Sequence, residues 1–127
     1  TVPQDFKQFK HKQRINKIFI DPDFDKTKLI WSCSHDNNIL AWDAATGNCK
    51  RVFQGHTKAV TCILIRDGWL YSGSYDKSVR CWNVETGMCK TVYNENDNWI
   101  TSVLVQGGFL YCAGYDVNVN VYDLQVC

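Results

Sequence analysis

The sequence has almost no excess of charge, few prolines and no long hydrophobic run. Its 127 residues contain 14 Lys and Arg against 13 Asp and Glu, with only 2 Pro and 8 Gly. The balanced charge excludes the overall electrostatic signature of a DNA- or lipid-binding protein. No apolar run approaches the roughly 20 residues that span a bilayer. Collagen-like and disordered chains are also excluded, because 13% of the residues are aromatic.

The start of the chain has neither a signal-peptide layout nor an initiator methionine, which predicts a piece of a longer protein. The seven cysteines include no C-x-x-C pair, their number is odd, and no Asn-x-Ser/Thr glycosylation site occurs. These features favour a cytoplasmic or nuclear location, where cysteines serve as small buried hydrophobic side chains. They predict no disulfide framework, no metal and no other cofactor.

A repeat with a period of 40 residues runs through the chain. Segments 32–36, 72–76 and 112–116 align at this spacing, and each ends in Asp. An aromatic residue follows each segment at the same distance, at positions 42, 82 and 122. Agreement at one fixed offset indicates repeated structural units.

Each unit is predicted to contain four short antiparallel strands. In the middle copy they cover about 60–65, 69–74, 78–84 and 89–93, which are apolar or β-branched runs separated by turn residues. Both faces of such a sheet are apolar, so each sheet needs a neighbour on either side, as in a β-propeller. The predicted fold class is therefore all-β, with three four-stranded repeats.

The first copy carries an insertion of five residues within 21–28. We assign it to a solvated hairpin tip, because insertions in repeats normally lie in loops. Asp21, Asp23 and Asp25 resemble the start of a calcium loop. However, Lys26 and Ser32 occupy the positions at which an EF-hand loop needs Gly and Glu. The tip is therefore not predicted to bind a metal.

The middle copy resembles the WD40-repeat β-propellers in Gly55-His56, the segment 72–76 (SGSYD) and Trp82-Asn83. The likeness extends over about residues 6–123 and implies part of a larger propeller of about seven blades. Segments 55–62 and 70–76 also resemble the WD region of large zinc-finger proteins.

On this resemblance, residues 1–127 are a single partial β-propeller with repeats at about 6–43, 51–83 and 91–123. Its open sheet edges are expected to be completed by the remaining blades of a longer chain or by self-association.

The resemblance implies a hydrogen-bonded set of His, Ser, Asp and Trp in each repeat. The sets are His11, Ser32, Asp36 and Trp42 in the first repeat, and His56, Ser72, Asp76 and Trp82 in the second. In the third repeat only Asp116 remains, because Asn96, Cys112 and Tyr122 replace the other three. Ser, His and Asp could also form a hydrolytic triad, but their recurrence with Trp at the repeat spacing favours a structural role. The chain is not predicted to be an enzyme.

The function implied by the resemblance is a non-catalytic scaffold or adaptor that docks protein or peptide partners on one propeller rim. Interface hot spots favour Trp, Tyr and Arg, and loops on that rim also carry lysines. The candidate contacts are Arg14, Lys58, Tyr75, Lys77, Trp99 and Tyr115.

RNA binding is the alternative function. Five of the 14 Lys and Arg lie within residues 7–17, where Phe9 and His11 interleave the charges. The excess positive charge is local, so the sequence favours protein docking. No membrane contact is predicted.

Overall fold

The computed structural model describes residues 10–115 and 117–125. Within these residues the chain forms eleven strands and one helical turn. The elements are β1 (Ile15–Ile20), α1 (Phe24–Thr27), β2 (Leu29–Ser34), β3 (Asn38–Asp43), β4 (Cys49–Gln54), β5 (Val60–Arg66), β6 (Trp69–Ser74), β7 (Val79–Asn83), β8 (Cys89–Tyr93), β9 (Ile100–Gln106), β10 (Phe109–Gly114) and β11 (Asn120–Asp123). The all-β fold class is confirmed, and the strands predicted for the middle copy agree within one residue at each end. Among the described residues, no helical segment has the length and hydrophobicity of a membrane span.

The strands form three antiparallel sheets in chain order. The first sheet is β1-β2-β3-β4, the second is β5-β6-β7-β8, and the third contains β9, β10 and β11 among the described residues. The sheets are out of step with the sequence repeats, because β4 belongs to the second repeat but pairs with β3. A repeat therefore links two sheets, which ties each sheet to its neighbour along the chain.

The turn after the third strand of a sheet explains the repeated Thr-Gly pair. Asp43 Oδ1 accepts the backbone N–H groups of the next turn, and Asn83 Oδ1 does the same in the second sheet. Gly47 and Gly87 then adopt φ of 80° and 78°, and each donates its N–H to the backbone oxygen of Asp43 or Asn83. Glycine reaches this left-handed region without steric cost, so the same turn recurs.

Two apolar cores separate the three sheets. The core between the first and second sheets contains Trp31, Phe53, Ile65 and Trp82, with centroids of the Trp31 and Phe53 rings 5.5 Å apart. The core between the second and third sheets contains residues at the same repeat positions as those of the first core, together with residues that pack beside them. Its main members are Tyr71, Cys81, Tyr93, Ile100, Val105, Leu110 and Cys112. Both faces of the second sheet are thus covered, as the repeat pattern predicts.

The insertion in the first sheet differs from its prediction. Residues Phe24–Thr27 form one helical turn, and Asp21 is buried at 7% exposure instead of lying in solvent. The Trp31 indole N–H donates to Asp21 Oδ2 at 3.0 Å, and the Asp23 backbone N–H donates to Asp21 Oδ1 at 2.8 Å. The prediction of a solvated tip is therefore wrong for Asp21, because a buried indole N–H needs an acceptor.

The cysteines are mostly, but not all, buried. Cys33, Cys62, Cys81 and Cys112 are buried free thiols, as expected from the sequence. Cys49 is exposed and Cys89 is half-buried, because both lie at the start of a fourth strand, which has one face toward solvent. Cys127 lies outside the described residues. The expectation of uniformly buried thiols is thus wrong for Cys49.

Candidate interaction site on one rim

The second sheet contains a chain of four hydrogen-bonded side chains. His56 Nδ1 lies 2.8 Å from Asp76 Oδ2, and its Nε2 lies 2.7 Å from Ser72 Oγ. The Trp82 indole N–H donates to the same Ser72 oxygen at 2.8 Å. The chain connects the loop before β5 to the turn after β6 and to β7. It therefore holds together the segments from which one rim is built.

The first sheet repeats this arrangement. His11 Nδ1 lies 2.9 Å from Asp36 Oδ2, and Nε2 lies 2.6 Å from Ser32 Oγ. The Trp42 indole N–H donates to Ser32 Oγ at 2.8 Å. The structure thus brings together the four side chains of each predicted set, with the same atoms facing one another.

The carboxylates of Asp76 and Asp36 each accept hydrogen bonds from other groups in addition to the histidine. Burial by itself would raise the pKa of Asp76, but bonds from His56, Ser78 and the Thr57 backbone N–H outweigh it and hold that pKa well below its usual range. At Asp36, burial is likewise outweighed by the backbone N–H groups of Lys12 and Asn38 and by His11, so its pKa is also lowered.

The burial of these groups argues against hydrolytic chemistry. Ser72 is fully buried, and its oxygen is already engaged by His56 and Trp82. A serine nucleophile needs access to the substrate and an oxyanion hole beside it.

The third sheet has a different network, centred on Asn96. The side-chain oxygen of this buried residue accepts hydrogen bonds from Tyr122 Oη and Asn120 Nδ2, both at 2.9 Å, and from Cys112 Sγ at 3.4 Å. Its amide nitrogen donates to the backbone oxygens of Lys77 and Tyr93. Asp116, the fourth predicted member, lies outside the described residues.

The sequence predicts an incomplete set here, with Asp116 as its remaining member. In the third repeat, Asn96, Cys112 and Tyr122 together replace the His, Ser and Trp of the other repeats. This joint replacement is the sequence signal for a different hydrogen-bonded network.

The rim itself is organised by one backbone hydrogen bond per sheet. The N–H of the residue after β2, β6 or β10 donates to the carbonyl of the loop that precedes the first strand of that sheet. The pairs are His35 to Arg14 at 2.9 Å, Tyr75 to Ala59 at 3.0 Å and Tyr115 to Trp99 at 3.3 Å. These bonds place residues of equivalent repeat positions side by side on the same rim.

Five of these side chains form a continuous row, which we call the rim row: Arg14, His35, Tyr75, Trp99 and Tyr115. Arg14 Nη2 donates to His35 Nε2 at 2.7 Å, and the His35 and Tyr75 rings meet edge to face at 5.9 Å. Tyr75 stacks on Trp99 at a centroid distance of 4.6 Å, and Tyr115 lies 5.1 Å beyond Trp99. The row crosses all three sheets, and it remains accessible because Trp99 is 38% exposed and Tyr115 65%.

The two lysine candidates flank the middle of the row. Their side chains are exposed, and their backbones are held in place. Ser74 Oγ donates to the Lys58 carbonyl at 3.1 Å, and Asn96 Nδ2 donates to the Lys77 carbonyl at 2.9 Å. The structure therefore brings all six predicted contact residues to one rim. His35 lies on the rim loops that the sequence predicts but is not among the six contact candidates, although its 40-residue offset from Tyr75 indicates it.

Comparison with known proteins supports one family for this arrangement. Residues 47–83, which include the His56–Trp82 chain of hydrogen bonds, match the family WD40, described as "WD domain, G-beta repeat". The findings support the WD40 family and give no support to the subfamily of large zinc-finger proteins.

Curated relatives match over short segments. The WD repeat-containing protein pop1 of Schizosaccharomyces pombe is 49% identical over 35 residues, which are 28% of this chain and 4% of pop1. Transducin-like enhancer protein 2 of Mus musculus is 40% identical over 50 residues, 39% of this chain and 6% of that protein. F-box/WD repeat-containing protein 10 of Mus musculus is 32% identical over 53 residues, 42% of this chain and 5% of that protein. The chain therefore spans only a small fraction of the length of these relatives.

A solved structure shows the fold over a longer stretch. The crystal structure of the computationally designed Ika8 protein aligns with a TM-score of 0.78 over 90% of this chain and 34% of the Ika8 chain. The two sequences are 24% identical in the alignment, so the likeness concerns the fold alone.

Proposed function

We propose that the WD40 repeats of this chain form a non-catalytic docking module for a protein or peptide partner. WD40 repeats are generally interaction scaffolds, and the names of the relatives agree with that role. The His–Ser–Asp–Trp sets and the Asn96 network have a structural part in this proposal, because they hold the loops that carry the rim. The partner itself contacts the rim.

The rim row is the observation that carries the proposal. Its members come from three sheets and lie in contact, with an arginine at one end and an exposed tyrosine at the other. Rigid aromatic and arginine side chains dominate the energetics of protein interfaces, because they bury a large area at a low entropic cost.

The spacing of the rings indicates how a partner binds. Centroid distances of 4.6 Å between Tyr75 and Trp99 and 5.1 Å between Trp99 and Tyr115 correspond to rings in contact. No ligand group fits between them, so a partner must lie across the row. An extended segment that spans the row reaches both its aromatic end and Arg14.

The outer faces of the first and third sheets and the cellular location are also part of the proposal. Ile18 on the outer face of the first sheet is 67% exposed, and Leu104 on the outer face of the third sheet is 57% exposed. Apolar sheet faces of this kind favour coverage by further blades or by another copy of the chain, which supports a partial propeller. The cytoplasm or nucleus is the proposed location, because the six described cysteines are free thiols.

The test is a capture experiment with the immobilised chain and four variants. We expect Tyr115→Ser and Arg14→Gln to lower the recovery of one common set of proteins roughly tenfold, as hot-spot residues do. Met88→Ser and Arg51→Gln are the matched controls, because Met88 is 70% exposed in a turn at the opposite rim and Arg51 is exposed on β4. Recovery should not change with these controls or after nuclease treatment.

RNA binding would produce a different result. Recovery would then depend on nucleic acid and fall with salt at a log–log slope of about 0.7 for each neutralised phosphate. Equal losses in the row variants and the controls would also contradict docking on the rim.

A further inference from the structure

A cleft of about 290 Å³ opens between the second and third sheets, at the rim opposite the rim row. Its mouth is formed by the β5–β6 turn, with Arg66 and Asp67, and by the glycine turn between β9 and β10. Trp69 and Tyr71 line its wall, and Lys90 of β8 lies beside Trp69. The volume is at the lower end of the range for ligand-binding pockets, so the cleft suits a small molecule.

The equivalent interface between the first and second sheets has different residues at positions that line the cleft. There, Trp31 occupies the repeat position of Tyr71, and Ile65 occupies that of Val105. Trp31 is fully buried and packs against Phe53. The second interface has smaller side chains at these two positions, whereas Trp69 is larger than its equivalent Leu29, so an aromatic wall lies beside the space.

The charge at the cleft also differs from that at the first interface. Lys50, the equivalent of Lys90, forms an ion pair with Asp43 at 3.9 Å. The residue equivalent to Asp43 is Asn83, and Lys90 has no carboxylate partner among the described residues. Its ammonium group instead lies 4.5 Å from the centroid of the Trp69 ring. The replacement of Asp by Asn therefore leaves the Lys90 ammonium group without an ion-pair partner among the described residues, beside the Trp69 ring.

A second cation is held in place at the mouth. Arg66 Nη1 donates to the Val105 carbonyl at 2.7 Å, which links the second and third sheets and orients the guanidinium group. One of its five N–H donors is used in this bond. Asp67 is the single acidic side chain of the cleft, so its lining carries a net charge of one positive unit.

We propose that this cleft binds a small carboxylate with an aromatic body. The carboxylate accepts hydrogen bonds from Lys90 and Arg66, and the ring packs against Trp69 and Tyr71. Charge-assisted bonds of this kind are strong, and flat rings bind well to aromatic walls. The site is independent of the rim row, because it lies at the other end of the strands and recognises a small molecule.

The test is a titration of the 127-residue chain with benzoate, followed by amide and indole NMR signals. Benzamide serves as the neutral probe of the same shape, and acetate as a carboxylate without a ring. We expect saturable shifts at Gly107, Gly108 and the Trp69 indole, with benzoate binding roughly tenfold more tightly than either control probe. The absence of saturable shifts up to about 20 mM benzoate would overturn the proposal.

Two variants at equivalent repeat positions provide the matched comparison. Lys90→Gln should weaken benzoate binding by roughly three- to tenfold, because it removes one charge-assisted bond. Lys50→Gln should leave the affinity unchanged, since that lysine lies at the first interface, where it pairs with Asp43. An equal effect of the two substitutions, or equal affinity for benzamide and benzoate, would contradict the site. Unchanged signals elsewhere verify that each variant is folded.

Discussion

The first two sheets and the third use different side chains to form hydrogen bonds with buried polar groups in the loop before their first strand. In the first two, an Asp contacts a His, the His contacts a Ser, and the Ser oxygen accepts the indole N–H of a Trp. In the third, one neutral amide, Asn96, connects Cys112, Asn120 and Tyr122. Both arrangements satisfy buried polar groups in the loop that precedes the first strand. The comparison teaches that each sheet keeps a connection between this loop and its strands, whereas the groups that make the connection differ as a whole set.

The largest expected effect is the loss of Asp76. Asp76→Ala removes the acceptor of His56, of the Thr57 backbone N–H and of Ser78. Since buried unsatisfied groups each cost about 1–3 kcal/mol, we expect a loss of about 3 kcal/mol in the free energy of unfolding, measured in urea.

Asp36→Ala should cost less, because no hydroxyl equivalent to Ser78 donates to Asp36. Asp97→Ala is the control, since Asp97 is exposed on the same rim. A similar loss in all three variants would rule out the network as the cause.

A set exchange in the third sheet gives the next largest effect. Asn96→His alone should cost about 2 kcal/mol, because the imidazole lacks the Ser and Trp partners of the other sheets. Adding Cys112→Ser and Tyr122→Trp should recover much of this loss, since residues of one network are not additive. Urea unfolding of the single and triple variants measures the coupling. Independent, additive losses would show that the members of the network do not act together.

The pH dependence of stability should also distinguish the sheets. The folded pKa of Asp76 is depressed below the value of about 3.9 that it has in an unfolded chain. Its contribution is therefore complete above the unfolded pKa and is lost as the pH falls from there through the folded pKa. We expect urea unfolding to show a decline in stability below about pH 4, and Asp76→Asn to flatten that decline. Asn96→Asp is the reverse control, because it adds a titrating carboxyl group to the third sheet, whereas Asp76→Asn removes one from the second. A decline unchanged by Asp76→Asn would assign it to other carboxylates.

The smallest expected effect concerns the thiols and leaves stability unchanged. Burial raises the pKa of Cys33 to about 12 and that of Cys112 to about 11. Since the thiolate is the reactive form, both should resist alkylation in the folded protein, whereas exposed Cys49 should react faster than either of them. Peptide mapping after brief iodoacetamide treatment measures each site. If Cys112 reacted as fast as Cys49, the third sheet would be opening locally.

Much of the fold could be predicted from the sequence because its signals are local and repeated. The 40-residue period, the alternating apolar strands and the Thr-Gly turns each depend on neighbouring residues, and together they predict the sheets and the middle-copy strand ends. The members of the two His–Ser–Asp–Trp sets could also be named, since their spacing recurs. The insertion could not be predicted correctly, because burial of Asp21 depends on the Trp31 indole across the hairpin.

The sequence by itself thus determined the units, their strands and the residue types available at each rim. Only the tertiary structure decided which of these residues meet. Tyr75 and Trp99 belong to different sheets, and they stack only because two sheets pack face to face. In the same way, Arg66 and Lys90 frame one cleft only because the second and third sheets pack against each other. Contacts between sheets depend on the size and orientation of many side chains together, which no single repeat encodes.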